Sequence, residues 1–175
     1  PVKVDIDLQY PTDSESKGER LYDKNMILET INLYRNSIKK LCDVKNSELK
    51  ACVFEKKKMI EKNNNWKDGF HVIFPSLCLP YQVRHLIRND VVEEAKNSDT
   101  FLTYSNEVGD IFDRGIISSN SWLMYGCSKP NCDPYFLKYY LDHDNNDLNV
   151  SSFGSTNKDI LELLSLRSSK WSEEN

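Results

Sequence analysis

The sequence contains 175 residues, of which 39% are hydrophobic and 29% are charged, and its formal net charge is -4. This composition is typical of one globular domain with a sizeable core, and it argues against a disordered chain or a surface that binds nucleic acid over its whole area. No apolar run approaches the roughly 20 residues that cross a bilayer, so we expect no membrane partner.

The first half of the chain predicts three strands and one long helix. The opening stretch PVKVDIDLQY alternates apolar and polar residues like a strand, and a polar loop follows it. Apolar residues at helical spacing predict a helix over DKNMILETINLYRNSIKKLC, with Asp23 as its N-cap. LKACVFEKK and FHVIFP are typical of strands, and KKKMIEKNNNWKDG between them is typical of a charged loop or hairpin tip.

The second half predicts two helices and two further strands. PYQVRHLIRNDVVEEAKN has apolar residues at helical spacing after Pro80, and TNKDILELLSL is typical of a short helix. SWLMYG and PYFLKYYLDH predict strands, the second of them rich in aromatic residues. Because strands and helices do not alternate strictly, the sequence predicts an α+β fold with a mostly antiparallel sheet and flanking helices.

Asp5 and Asp7 stand two residues apart in the opening strand, so both carboxylates lie on the same face. Like charges this close repel, and each raises the proton affinity of the other. A divalent cation such as Mg²⁺, bound by carboxylates and substrate phosphates, would relieve that repulsion. The alternative is an ordinary strand face in contact with water.

His71 lies in the strand DGFHVIFP, on the same face as Gly69 and Ile73. A histidine among large apolar residues is commonly a buried core residue with its hydrogen bonds satisfied. Gly69, however, lacks a side chain and allows close approach of a ligand or of another backbone segment. A donor imidazole beside that opening could bind a phosphate.

The segment DIFDRGIISSNSWLMYGCSKP contains two acids, a glycine and a Ser-Lys pair. Asp110 and Asp113 precede a predicted turn at Gly115, and Ser128 and Lys129 follow the predicted strand. In a functional site, one aspartate would complete a carboxylate cluster while the Ser-Lys pair meets an anion. The alternative is a plain loop, strand and turn with Lys129 at the surface.

Five cysteines form no compact disulfide framework, and their odd number suits a reducing compartment. Cys127 and Cys132 make a C-x4-C pair, which needs two further ligands to hold zinc. No second tight pair completes the set, so we do not expect a zinc site.

The order of these motifs resembles the catalytic core of the archaeo-eukaryotic primases and primase-polymerases. The resemblance rests on a D-x-D strand, a later G-x-H strand, and an aspartate followed by N-x-W-x-x-Y-G-x-S-K. More narrowly, KDGFHVIFP, SWLMYGCSKP, PYFLKYYL and ELLSLR resemble the primase part of the primase-helicases of nucleo-cytoplasmic large DNA viruses. The resemblance covers nearly the whole chain and implies an RRM-like catalytic core.

The resemblance also implies a metal-dependent nucleotidyltransferase, with Asp5, Asp7 and Asp113 as catalytic residues that hold two Mg²⁺ or Mn²⁺ ions. Asp113 matches the third motif of the family better than Asp110, because the hydrophobic Phe112 precedes it.

A second group of residues is implied to bind the incoming nucleoside triphosphate. His71 matches the second motif and should contact the phosphates, and Ser128 and Lys129 should meet the triphosphate. Asn120 and Arg114 are secondary candidates that would orient the substrate.

A single-stranded DNA template needs positive charge and stacking surfaces. The basic candidates come from the predicted second helix and from the charged hairpin tip, and Trp66 offers an aromatic surface. They are Arg84, His85, Arg88, Lys56, Lys57 and Lys58. For each of them the sequence favours the alternative of a solvated helix face or hairpin tip.

We expect residues 1–175 to be a primase catalytic domain cut from a longer chain, because only Pro1 to Val4 precede the first motif. Strands upstream and a superfamily 3 helicase downstream are implied for the full-length protein, which would act in the host cytoplasm at the site of viral replication.

Three functions remain open on the sequence. The first is a DNA primase or polymerase domain. The second is a catalytically weak nucleic-acid-binding or assembly module of a primase-helicase. The third is a metal-dependent nuclease built from the same acids. The sequence does not distinguish ribonucleotides from deoxyribonucleotides as substrates.

Overall fold

The computed structural model describes residues 1–12, 19–130, 132–149 and 157–165. Within these ranges, five strands form one sheet. They are β1 (Val2–Pro11), β2 (Ala51–Lys56), β3 (Ile60–Lys62), β4 (Asn65–Phe74) and β5 (Tyr135–Leu141). The spatial order is β1-β4-β2-β5, and β3 pairs with the start of β4.

Six α-helices accompany the sheet in the described part of the chain. They are α1 (Lys24–Leu41), α2 (Tyr81–Ala95), α3 (Asp99–Leu102), α4 (Val108–Ile111), α5 (Gly115–Ser118) and α6 (Asn157–Leu163). None of the helices described is both long enough and apolar enough to cross a membrane.

All strand pairs in the sheet are antiparallel. Because β4 lies between β1 and β2, these two strands point the same way, and α1 connects them as a split β-α-β unit. The predicted α+β fold with an antiparallel sheet is confirmed. The finer RRM-like description stays a prediction.

One face of the sheet carries the main core, because alternate residues of β1 point into it and are almost fully buried. These are Val2, Val4, Ile6, Leu8 and Tyr10. Helix α1 places Ile27, Ile31, Tyr34 and Ile38 against this face, and its N-terminus is capped as predicted by the Asp23 side chain, which accepts from the Met26 amide. Helix α2 adds Ile87, Val91 and Val92 to the same core.

The opposite face, which we call the carboxylate face, carries Asp5, Asp7 and His71. A smaller apolar cluster lies on it beside them, around Cys52, Phe54, Ile73 and Tyr140. Residues of segment 122–125 and of α6 cover this cluster. One face of the sheet is therefore closed by helices, while the described residues cover the other face only in part.

The free edge of β1 is paired with later parts of the chain instead of being left open. The Ser105 amide donates to the Gln9 carbonyl, and the Asn106 side chain donates to the Asp7 carbonyl at 2.8 Å. Further along the same edge, Ile6 forms an isolated bridge with Phe112. This pairing brings the α4–α5 region alongside the two aspartates.

The predicted strand SWLMYG is wrong. Residues 121–124 form no regular structure, and a turn follows at Tyr125 and Gly126, where Gly126 has a φ of 78°. The apolar side chains of this stretch pack onto the carboxylate face, which satisfies their hydrophobicity without strand pairing.

The structure adds detail to the sequence prediction in two further regions. The hairpin tip predicted over residues 56–69 is confirmed, and it contains the short strand β3 and the start of β4, joined where Asn63 and Asn64 both have positive φ. Helices α3 to α5 were not predicted, because four residues are too few for a helical period to show in the sequence.

Candidate active site

Strands β1 and β4 place Asp5 and His71 directly opposite each other on the carboxylate face. The two residues are paired in the ladder, and the Asp5 Oδ1 atom lies 3.2 Å from His71 Nε2. Both side chains are largely buried, with exposed fractions of 17% and 6%. The D-x-D and G-x-H motifs are thus brought together by the contact between Asp5 and His71.

Gly69 is required for this pairing because it lies opposite Asp7 in β4 with a φ of 147°. A Cβ atom at this position would stand 1.9 Å from the Ile6 carbonyl oxygen. The close approach that the sequence predicted at this glycine is therefore made by the backbone of β1.

Two aromatic rings enclose His71. The Tyr135 ring stacks on the imidazole with centroids 3.7 Å apart, and the Trp122 ring lies 4.5 Å away on a tilt of 35°. Packed rings of this kind hold an imidazole in one orientation. Neither aromatic residue was singled out from the sequence.

Asp113 reaches the same region from the connection between α4 and α5. Its backbone amide donates to the Asp5 carbonyl at 3.0 Å, beside the bridge between Ile6 and Phe112. Asp110, the other aspartate considered in the sequence, is exposed in α4. The structure thus places Asp113 beside the strand aspartates.

The three carboxylates influence one another electrostatically. The pKa of Asp7 is raised to about 6, first because the surrounding protein partly desolvates its carboxyl group, although the residue still reaches solvent, and then because Asp5 and Asp113 are negatively charged neighbours. His71 and Lys56 oppose this shift of the pKa. The site therefore concentrates negative charge that a bound cation would neutralise.

The donor set consists of carboxylate oxygens, which suit Mg²⁺ and Mn²⁺. Among the described residues, no group of three or more His, Cys, Asp or Glu side chains is already arranged around one ion position. Asp5 instead contacts His71, and both carboxylate oxygens of Asp113 accept hydrogen bonds from neighbouring groups. The residues fit the metals chemically, and their metal-binding role stays a prediction.

Ser128 and Lys129 lie on an exposed turn between segment 122–125 and β5. The Gly126 amide donates to the Tyr135 carbonyl at 3.2 Å and closes the base of this turn. Because the Tyr135 ring stacks on His71, the chain that follows Ser128 and Lys129 rejoins the sheet next to the imidazole. The triphosphate contacts of this pair stay a prediction.

The predicted secondary nucleotide ligands, Arg114 and Asn120, are both exposed. The Asn120 side chain donates to Asp113 Oδ2 at 2.9 Å, a contact that the sequence did not indicate.

The basic residues predicted to bind the template occupy different environments. Lys56 belongs to the site, since its Nζ lies 4.6 Å from the centre of the Tyr135 ring and its charge lowers the pKa of Asp7. Lys57 and Lys58 are exposed and line a cavity of about 500 Å³ together with Trp66.

On helix α2, Arg84 is half-buried, and the guanidinium of Arg88 points inward. Arg88 donates to the Phe112 carbonyl through both Nε and Nη2, at 3.0 and 2.9 Å, and also to the Gly109 carbonyl. It thereby ties the α4 region to α2, whereas a template contact for either arginine stays a prediction.

Comparisons with known proteins indicate the family of the chain. A family model described as "C962R protein N-terminal AEP domain" matches residues 1–141. The chain is 29% identical over 142 residues to "Putative helicase L207/L206" of Acanthamoeba polyphaga mimivirus, covering 79% of this chain and 14% of that protein. It is 27% identical over 173 residues to "Putative helicase 184R" of Invertebrate iridescent virus 6, covering 86% of this chain and 18% of that protein. The chain thus spans less than a fifth of either relative.

Proposed function

The chain belongs to the archaeo-eukaryotic primase (AEP) family, among the N-terminal AEP domains of the C962R type, and from this premise we propose that it joins nucleotides on a single-stranded DNA template. In this reaction the 3′-hydroxyl of one nucleotide attacks the α-phosphorus of a nucleoside triphosphate and expels pyrophosphate.

The observation that carries the proposal is the proximity of three aspartates from two separate parts of the chain, whose charges act on one another. Asp5 and Asp7 come from β1, and Asp113 from the α4–α5 connection is hydrogen-bonded to the backbone of Asp5. Both neighbours raise the pKa of Asp7. Concentrated negative charge of this kind is costly unless cations share the site.

Asp5, Asp7 and Asp113 are the residues that would hold two Mg²⁺ or Mn²⁺ ions. When bound, such ions supply Lewis acidity that activates the attacking hydroxyl and neutralises charge on the leaving oxygen. The chain itself contributes the fixed backbone positions of Asp5 and Asp7, since β1 is paired along both edges.

Groups that can bind phosphate stand next to the acids. The His71 ring packs against Tyr135 and Trp122, and the Lys56 Nζ atom lies 4.6 Å from the centre of the Tyr135 ring. We propose that these two residues, with Ser128 and Lys129 from the adjacent turn, bind the β- and γ-phosphates. Their role is to position the nucleotide, not to form or break bonds.

The test is incorporation of labelled nucleotides on single-stranded DNA with Mg²⁺ or Mn²⁺. We expect the double variant Asp5→Ala with Asp7→Ala, and separately Asp113→Ala, to lose incorporation. Asp110→Ala is the matched control, because this exposed aspartate lies in the same segment and should leave activity unchanged. Full activity of the double variant would refute the proposal.

A second candidate is a non-catalytic module that binds nucleic acid or assembles a primase-helicase. It is favoured by the relatives, which are named as helicases and of which the chain spans only a small share. Template binding without incorporation under either metal would support it. Strand cleavage without added nucleotides would instead indicate a nuclease.

In the full-length protein we propose a superfamily 3 helicase as the partner domain, acting at a cytoplasmic site of viral replication.

A further inference from the structure

The Asp113 carboxylate is held at both of its oxygens. Oδ1 accepts from the Gly115 backbone amide at 2.7 Å, and Oδ2 accepts from the Asn120 side-chain amide at 2.9 Å. Two hydrogen bonds to opposite oxygens fix the rotation of a carboxylate that would otherwise turn freely about its side-chain bonds.

Asn120 is in turn fixed by the end of helix α5. Its backbone amide donates to the Gly115 carbonyl at 2.7 Å, next to the bond from the Ser119 amide to the same carbonyl at 2.9 Å. The residue that holds one oxygen of Asp113 is therefore anchored to the residue that holds the other oxygen. Gly115, Asn120 and Asp113 form a closed loop of hydrogen bonds.

Gly115 leaves the space that the Asn120 amide occupies. A Cβ atom at this position would stand 2.4 Å from Asn120 Nδ2, 2.9 Å from its Cγ and 3.1 Å from its Oδ1. The nearest atoms all belong to this one side chain. A methyl group at Gly115 would thus displace the Asn120 amide from Asp113 while keeping the backbone amide that Oδ1 uses.

We propose that Asn120 is a positioning residue for Asp113 and does not bind the nucleotide, and that residue 115 is a glycine to make room for its amide. The inference rests on the proposed function, in which Asp113 is a metal ligand. It departs from the substrate-orienting role that the family resemblance implies for Asn120, because the side-chain contact that the structure shows is a hydrogen bond to the carboxylate of Asp113.

The experiment measures two quantities for each variant of the whole chain. One is the Mn²⁺ concentration that half-saturates binding, followed by the electron paramagnetic resonance signal of free Mn²⁺. The other is nucleotide incorporation, resolved into kcat and the KM for the nucleotide. Loss of a group that orients a metal ligand typically weakens metal affinity by about 10- to 100-fold.

We expect Asn120→Ala and Gly115→Ala each to raise the half-saturating Mn²⁺ concentration by about tenfold and to lower kcat, with the KM for the nucleotide nearly unchanged. The double variant that combines Gly115→Ala with Asn120→Ala should be no worse than Asn120→Ala alone, because the methyl group added at residue 115 no longer meets an amide. Asn120→Asp, which exchanges the donor for a second negative charge, should be at least as impaired as Asn120→Ala.

Two controls separate positioning from general damage. Gly109→Ala is matched to Gly115→Ala, because its Cβ atom would find nothing nearer than Arg88 Nη2 at 4.0 Å, and it should bind Mn²⁺ normally. Ser119→Ala changes the exposed neighbour of Asn120 and should also behave like the unsubstituted chain. Thermal unfolding of each variant shows whether it folds. If Asn120→Ala or Gly115→Ala does not fold, Asn120→Asp provides the test instead.

The possible results distinguish this inference from the proposed function. If Asp113→Ala retains both Mn²⁺ affinity and incorporation, the assignment of Asp113 as a ligand is wrong. If Asp113→Ala is inactive while Asn120→Ala binds Mn²⁺ normally, only the positioning role is refuted. A raised nucleotide KM with unchanged Mn²⁺ affinity in Asn120→Ala, or additive losses in the double variant, would also overturn it.

Discussion

The acids of the candidate site are held in two different ways. Asp5 and Asp7 belong to β1, and the ladder with β4 fixes their positions through backbone hydrogen bonds. Asp113 lies in an irregular connection, where Asn120, the Gly115 amide and the Arg88 guanidinium hold it and its neighbours by individual bonds. A ladder is lost only when a strand is lost, whereas individual bonds can be removed one at a time.

Asp5 and Asp7, with the strand pair that holds them, form the strand-held half of the site. The largest effect is expected from breaking this half at Gly69. Gly69→Ala places a Cβ atom 1.9 Å from the Ile6 carbonyl at a φ of 147°, so β1 and β4 must separate locally. We expect the free energy of unfolding to fall by about 3 kcal/mol or more, measured by urea denaturation. Stability within 1 kcal/mol of the unsubstituted chain would show that the strand pair adapts easily.

Asp113 and the individual hydrogen bonds around it form the loop-held half of the site, which is tested at Arg88. Arg88→Ala leaves the buried carbonyl of Phe112 without its donor, and hydrogen bonds to charged groups are worth about 1.5–3 kcal/mol. We expect a loss of about 2 kcal/mol in urea denaturation and unchanged affinity for single-stranded DNA in a binding assay. Weaker DNA binding at unchanged stability would instead support the predicted template contact. Arg84→Ala provides the comparison on the same helix.

A smaller effect is expected where β2 meets the site. Lys56→Ala removes a positive charge next to Tyr135 and Asp7, and we expect the KM for the nucleotide to rise about fivefold in incorporation assays. Lys57→Ala is the matched control, since this exposed neighbour lies on the hairpin tip. Equal effects of the two substitutions would argue against a specific phosphate contact by Lys56.

The smallest effect concerns pH. The folded pKa of Asp7, about 6, lies above its ordinary value of 3.8, so the folded chain binds more protons between these values and becomes less stable as pH rises through them. We expect Asp7→Asn to stabilise the chain above about pH 6, by less than about 1 kcal/mol because solvent screens this exposed group. Thermal unfolding at pH 4 and pH 7.5 measures this, and added Mn²⁺ should reduce the difference. An equal effect at both pH values would contradict it.

The strand-held half could be predicted almost completely from the sequence. Alternation identified β1 and the face of Asp5 and Asp7, and the apolar run FHVIFP identified β4, whereas the pairing of these two strands was not predicted. These features are local, because strand geometry places every second residue on one face whatever surrounds it. The resemblance of the ordered motifs then indicated the AEP family, and the family match confirms it.

The loop-held half could be predicted only in part. The choice of Asp113 over Asp110 came from the family pattern, and no local period revealed α4 and α5. The hydrophobic stretch around Trp122 was read as a strand, because burial against a sheet face and pairing within a sheet produce similar apolar runs. Arg88 and Lys56 looked like equivalent surface cations, yet one is used inside the fold and the other beside the acids.

The sequence by itself determined which strand carries the paired acids, which helix covers the core and which family the chain belongs to, because these follow from periodicity and from motifs a few residues long. Only the tertiary structure decided what Asn120, Gly115 and Arg88 do. Their partners lie up to 24 residues away along the chain, in connections whose path is set by packing against β1 and not by any local preference.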